Sequence, residues 1–138
     1  MVQNVHERIV DGTPAQVWPV LADLGSLYPA SSGSLAFPDG LYEGAPVAHD
    51  GVTYRVAVVD PGRRLWFDVD WALSDGHGFE LFPVGDAHTH VRHSVNGRLR
   101  GTFALLWPVF IRRQHDRALE GILDNLSAAM SRVRGGGA

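Results

Sequence analysis

Six residues near the middle of the chain, His88-Thr89-His90-Val91-Arg92-His93, carry three of its seven histidines. Imidazoles this close can chelate a transition metal, or can act singly, moving a proton or holding a ligand oxygen in an apolar pocket. On a β-strand, His88 and His90 share one face and His93 takes the other. Two histidines at i and i+2 still need a third ligand and supporting contacts to hold zinc. Asp68 and Asp70 face the same way, but on a strand two away. The expectation is therefore no metal site, with His93 the one imidazole of the three that looks inward. Other chemistries are excluded outright. With no cysteine there is no thiol nucleophile, disulfide or thiolate ligand, and with all twelve basic residues arginine there is no Schiff-base lysine. His93, His115 and Tyr54 remain as candidates for acid-base work, with His77 and Tyr28 as ligand contacts.

The register of the surrounding sheet decides what His93 meets. The turn Asp60-Pro61-Gly62-Arg63 sets a hairpin pairing Val58 with Leu65, Val56 with Phe67, Tyr54 with Val69 and Val52 with Trp71. That face is apolar. The opposite face pairs Arg55 with Asp68 and carries Thr53, Asp70 and, as an exception, Trp66. Ser74-Asp75-Gly76 reads as a three-residue hairpin, placing Leu73 opposite His77, Trp71 opposite Phe79 and Val69 opposite Leu81. After a turn near Val84 to Ala87, Val91 and Val95 continue the apolar face and alternation brings His93 with them. His93 then falls opposite His77 or Phe79, depending on two residues in that turn, with His77 preferred.

Helices flank this sheet. Val2 to Val10 reads as a first strand whose inward face the sequence leaves open. Thr13-Pro14-Ala15-Gln16 is a helix start with a capping box, and Pro19 should bend or shorten the helix it interrupts. Thr102 to Val133 reads as a long helix with Pro108 in its opening turns. Ile111, His115, Leu119, Ile122, Leu126, Ala129 and Val133 follow its period, so this stripe lies on the concave face of the sheet with His115 on or beside it.

The chain has 138 residues, enough for one ordinary domain, expected over 1–134 with 135–138 as a flexible tail. A net charge of -3 with scattered arginines gives no basic stripe, so nucleic acid is not an expected partner. The longest apolar run, Phe103 to Ile111, is too short to span a bilayer, and a cytoplasmic location is the default.

Several phrases in this order resemble the START-like SRPBCC superfamily, polyketide cyclase/dehydrase branch. They are the Thr13-Pro14-Ala15-Gln16-Val17-Trp18 helix start, the Ala22-Asp23-Leu24 break, the Val58-Val59-Asp60-Pro61-Gly62-Arg63-Arg64-Leu65 hairpin, the Gly78-Phe79-Glu80-Leu81 strand and the long closing helix. The resemblance spans nearly the whole chain. It implies an α+β helix-grip fold, a curved antiparallel sheet wrapped around a long C-terminal helix, with an internal cavity for a hydrophobic small molecule. Val56, Phe67, Val69, Trp71, His77, Phe79, Leu81 and Val91 on the sheet would then line that cavity, with Leu119 and Ile122 on the helix and Tyr28 near the mouth. An aromatic face at strand spacing is more often core, but in this fold core and cavity wall are one surface. The implied function is binding of an aromatic or polyketide-like molecule. As an enzyme, the protein would be a cofactor-independent cyclase or dehydratase with a cavity histidine as general base. The alternatives are a non-catalytic carrier or sensor and a co-chaperone-type protein-binding domain. Either a monomer or a homodimer is compatible.

Overall fold

The computed structural model describes residues 2–69 and 72–136. It contains strands β1 (Val2–Asp11), β2 (Leu35–Ala36), β3 (Pro46–His49), β4 (Val52–Asp60), β5 (Arg64–Asp68), β6 (His77–Val84) and β7 (His88–Gly97). Helices α1 (Pro14–Ala22) and α2 (Leu24–Leu27) follow β1, and α3 (Gly101–Leu106), a π-helical turn (Trp107–Ile111) and α4 (Arg112–Gly136) close the chain. The strands form one antiparallel sheet in the order β1-β7-β6-β5-β4-β3-β2, curled into a half-barrel around α4.

Local chemistry explains the helix ends. Thr13 caps α1 through a reciprocal box: Gln16 N donates to the Thr13 hydroxyl at 3.3 Å, and Thr13 N donates to the Gln16 side chain at 2.9 Å. Pro19 lies within α1, which stops at Ala22, and α2 restarts after Asp23 as a single turn. In the C-terminal segment Pro108 can neither donate to the previous turn nor fit a regular α-turn, and the wider π turn accommodates it. α4 then buries Ala118, Leu119, Ile122, Leu123, Leu126 and Met130 against the sheet. Val133, expected on the same stripe, is 59% exposed.

Three details of the expected register are corrected. The first hairpin has a three-residue loop, so Asp60 pairs with Arg64, Val59 with Leu65 and Val58 with Trp66. A β-bulge between Val56 and Val58 absorbs the extra residue and restores Val56 to Phe67 and Arg55 to Asp68. Val59 thus packs on the core in place of Val58. The second hairpin is not tight: β5 ends at Asp68 and pairs Phe67 with His77 and Leu65 with Phe79. Val69 lies past the strand, and the backbone turns there, Ala72 N and Leu73 N both donating to the Val69 carbonyl at 2.9 Å. Leu73 bridges to Leu99, and Ser74 N donates to the Arg98 carbonyl. The displacement is six residues, an even number, so every side chain keeps its face. In the third hairpin His93 stands opposite Phe79 and His77 opposite Val95.

The outward Trp66 is buried at 9%, because its cross-strand neighbour Gly78 has no side chain to hold the ring off the sheet. Its Nε1 donates to the Asp75 carbonyl at 2.9 Å, and Arg64 lies over the ring at 4.4 Å from its centroid. On β1, pairing of His6 with His93 fixes the face the sequence left open: Val10 is buried, Asn4, His6 and Arg8 turn toward α4, and Ile9 points out at 58% exposure. Among the described residues no helix is long and apolar enough to cross a membrane.

Candidate functional site

A pocket of about 280 Å³ opens between the sheet, α4 and the π turn. Its apolar wall includes Phe67, Val69, Phe79, Leu119 and Ile122, as expected on the inward face, together with Leu73, Val95, Trp107, Ile111 and Ala118. Val56, Leu81 and Val91 face the same way but belong to the packed core with Val10, Val17 and Leu21, because α1 fills that end of the sheet. Trp71 lies outside the described residues.

The aromatic polar groups of this pocket stand in a row that His6 extends beyond its wall. Tyr28, His49, Tyr54, His77, His93, His115 and His6 follow one another with successive ring centroids 5.2 to 6.2 Å apart. Alternation on β7 and β6 delivers His93 and His77, alternation on β4 delivers Tyr54, and the α4 stripe delivers His115. At one end the Tyr28 hydroxyl is 2.8 Å from His49 Nε2, and the Tyr54 hydroxyl is 3.4 Å from His49 Nδ1. A neutral imidazole has one N–H, so it accepts from one phenol and donates to the other. Burial, reinforced by Asp50, pushes the Tyr28 phenol up to about 12, and burial with Tyr28 and Asp50 nearby raises Tyr54 as well. His49 is lowered by burial, against the pull of Asp50.

In the middle, His77 Nδ1 and His93 Nε2 are 3.3 Å apart, one donating and the other accepting. His93 is 2% exposed and its Nδ1 has no partner. Neither ring nitrogen of His115 has a hydrogen-bond partner. Burial comes first in disfavouring the imidazolium at all three, and neighbouring imidazoles add to it, His115 foremost for His77 and His93 and His6 for His115. His77 is pushed down to about 3, His115 to about 4 despite Asp116 beside it, and His93 well below the ordinary value. All three are neutral near pH 7.

At the far end His6 lies between two carboxylates, its Nε2 2.8 Å from Asp116 Oδ1 and its Nδ1 2.8 Å from Glu120 Oε2. Asn4 Nδ2 donates to Asp116 Oδ1 at 3.0 Å. Burial works to raise the Asp116 carboxyl, but hydrogen bonds from His6 and Asn4 outweigh it and hold it below its usual range. The donor atoms of His6, His115 and Asp116 lie within 4.8 Å of one another, which makes them the group suited to a cation. Sequence reasoning missed His6 because β1 is inverted in pattern, with Val5 and Ile9 outside and Asn4, His6 and Arg8 inside. It missed His49 for want of a register for β3. His88 and His90 stay on the outward face, paired with Asp11 at 3.2 Å and Glu7 at 3.3 Å.

A curled antiparallel sheet gripping a long C-terminal helix, with a pocket between them, is a helix-grip fold. Solved structures with this fold superpose over most of the chain. They include the Aha1 dimer from Colwellia psychrerythraea (TM-score 0.65, 15% identity, 94% of this chain and 96% of that one). Norcoclaurine synthase from Thalictrum flavum, in complex with dopamine and hydroxybenzaldehyde, superposes with TM-score 0.65 and 15% identity over 95% of this chain and 88% of that one. A protein from Thermobifida fusca gives TM-score 0.64 and 16% identity over 91% and 93%. At these identities the likeness is one of fold. No family model and no curated protein sequence matches the chain.

Proposed function

We propose that this protein binds a hydrophobic, aromatic or polyketide-like small molecule in the pocket, its hydroxyl or carbonyl oxygens taken up by the row of imidazoles and phenols. The observation that carries this reading is a largely apolar pocket along which Tyr28, His49, Tyr54, His77, His93 and His115 stand in one row. The norcoclaurine synthase structure, which holds two aromatic molecules, supports an aromatic occupant by analogy of fold.

The same wall bears on catalysis. A general base works best when its pKa is near the working pH, and His77 at about 3 and His115 at about 4 are far below neutrality. Binding and orientation therefore come first, as in a carrier. Cyclase or dehydratase activity requires a ligand that raises one imidazole as negative charge develops on it. With no cation held beside Asp116, His115 is the base suited to that change, and His93 and Tyr54 orient the reacting oxygens.

The test is thermal denaturation with planar phenols of one to three rings. Binding raises the melting temperature and displaces a hydrophobic dye from the folded protein. If no phenol or aromatic ketone does either, the pocket is not a site for such molecules.

A further inference from the structure

We propose that His6, His115 and Asp116 form a binding site for one divalent transition-metal ion at the β1 end of the pocket. Three observations carry it, and none depends on the pocket's organic ligand. The first is the donor set. His6 Nε2 and His115 Nδ1 both approach the same carboxylate oxygen, Asp116 Oδ1, at 2.8 and 3.7 Å. Ligand atoms about 2.0–2.1 Å from a tetrahedral zinc ion lie about 3.3–3.4 Å from one another, so the two distances bracket what one ion would impose. Two imidazole nitrogens and one carboxylate oxygen select zinc, iron, cobalt or nickel over magnesium or calcium, which prefer oxygen throughout.

The second observation is the supporting contacts. Glu120 Oε2 is 2.8 Å from Nδ1 of His6, the position from which a carboxylate fixes the tautomer of a metal-bound imidazole. With Nδ1 donating to Glu120, Nε2 faces Asp116 Oδ1 at 2.8 Å and can hold there either a proton, as the imidazolium, or a cation in its place. Asn4 Nδ2, donating to Asp116 Oδ1 at 3.0 Å, holds the carboxylate in place.

The third observation separates the cation from the proton. His115 lies inside the pocket wall with both ring nitrogens unpartnered, and its Nδ1 is too far from Asp116 for a hydrogen bond. A proton shared between His6 and Asp116 leaves both ring nitrogens of His115 without a partner, whereas a metal ion also engages its Nδ1. Three protein ligands leave at least one coordination position open.

The experiment uses the full chain, stripped with a chelator and dialysed, then titrated calorimetrically with Zn²⁺ and spectroscopically with Co²⁺. The expected result is one equivalent per chain, with visible d–d bands for cobalt. Asp116→Asn and His115→Ala should weaken binding at least about 100-fold and Glu120→Gln about 10- to 100-fold, whereas joint replacement of His88 and His90 by alanine should change nothing. Should a variant fail to fold, histidine ring NMR of the unaltered protein decides: Zn²⁺ must move the His6 and His115 signals and leave those of His88 and His90. No binding by the unaltered protein, binding that survives both Asp116→Asn and His115→Ala, or ring signals changing only at His88 and His90 overturns the proposal.

Discussion

His93 has a phenylalanine across from it, an imidazole at each side and no water-facing surface, so its chemistry is set by its neighbours. Changing His93 to alanine removes the partner that orients the His77 ring on the pocket wall. Affinity for a phenolic ligand should then fall by about 10-fold or more, the worth of one buried hydrogen bond, while His88→Ala and His90→Ala leave it unchanged. Calorimetry with one ligand across the three variants checks this, and loss in an outward variant alone would contradict the assignment of faces. His77 supports a second prediction, made for chelator-treated protein. Its pKa is lower folded (about 3) than unfolded (6.5), so the unfolded chain binds more protons between those values and stability falls as pH drops below about 6.5. Asp116, held low in the folded state, adds acid destabilisation only below its ordinary value of 3.8. Urea midpoints measured from pH 7 to pH 4 should decline, and His77→Phe should flatten the slope by up to about 1.4 kcal/mol per pH unit. An unchanged slope in His77→Phe would mean that His77 is protonated in the fold. The direction His93 faces was legible from valine alternation alone. His6 was not, since an edge strand whose inward residues are Asn4, His6, Arg8 and Val10 gives no hydrophobic signal for its own orientation.

Among the elements, alternation proved sturdier than turn geometry. The first hairpin was misaligned by one residue at its tip, because Pro61-Gly62-Arg63 forms a three-residue loop with Gly62 at φ 78°, and the bulge after Val56 repairs the slip. The second was misaligned by six because Ala72 and Leu73 bond back to the Val69 carbonyl and Leu73 pairs with Leu99, contacts that no local sequence signal announces. Neither error moved Phe67, His77 or Phe79 to the wrong face, so the pocket wall could be read while its pairing could not. What pins the observed register on the outward side is Gly78. A methyl group there would run into the Leu65 carbonyl and come within 2.8 Å of the Trp66 ring. Gly78→Ala should therefore cost about 2–3 kcal/mol by overpacking, read as a lowered urea midpoint. Truncating Trp66 to alanine in the same chain should not restore the loss, since the backbone contact with Leu65 remains. Full stability in Gly78→Ala would show that β5 and β6 pair in some other register.

At the scale of the molecule, the sheet's curl sets how large an occupant can be. α1 and the second half of α4 fill the end of the half-barrel where Val56, Leu81 and Val91 pack, and the space left toward Trp107 and Ile111 is about 280 Å³. That is at the small end of the range for small-molecule sites. The α+β helix-grip arrangement followed from the order of the elements, but this division between filled and open ends depends on how α1 and the π turn seat themselves, which is tertiary information. The size has a direct consequence for ligand choice. One- and two-ring phenols are expected to fit between the Tyr28–His49–Tyr54 end and the His93–His115 end, and a rigid linear four-ring phenol to require displacement of Trp107 or Ile111. Affinity should accordingly rise from one ring to two, as apolar area is buried at about 25 cal/mol per Å², and drop for four. Trp107→Ala, which widens the pocket, should recover binding of the four-ring compound while weakening that of the two-ring one. Dissociation constants for such a ring series against both proteins decide the point, and a four-ring ligand that binds the unaltered protein most tightly would show that the pocket opens well beyond this volume.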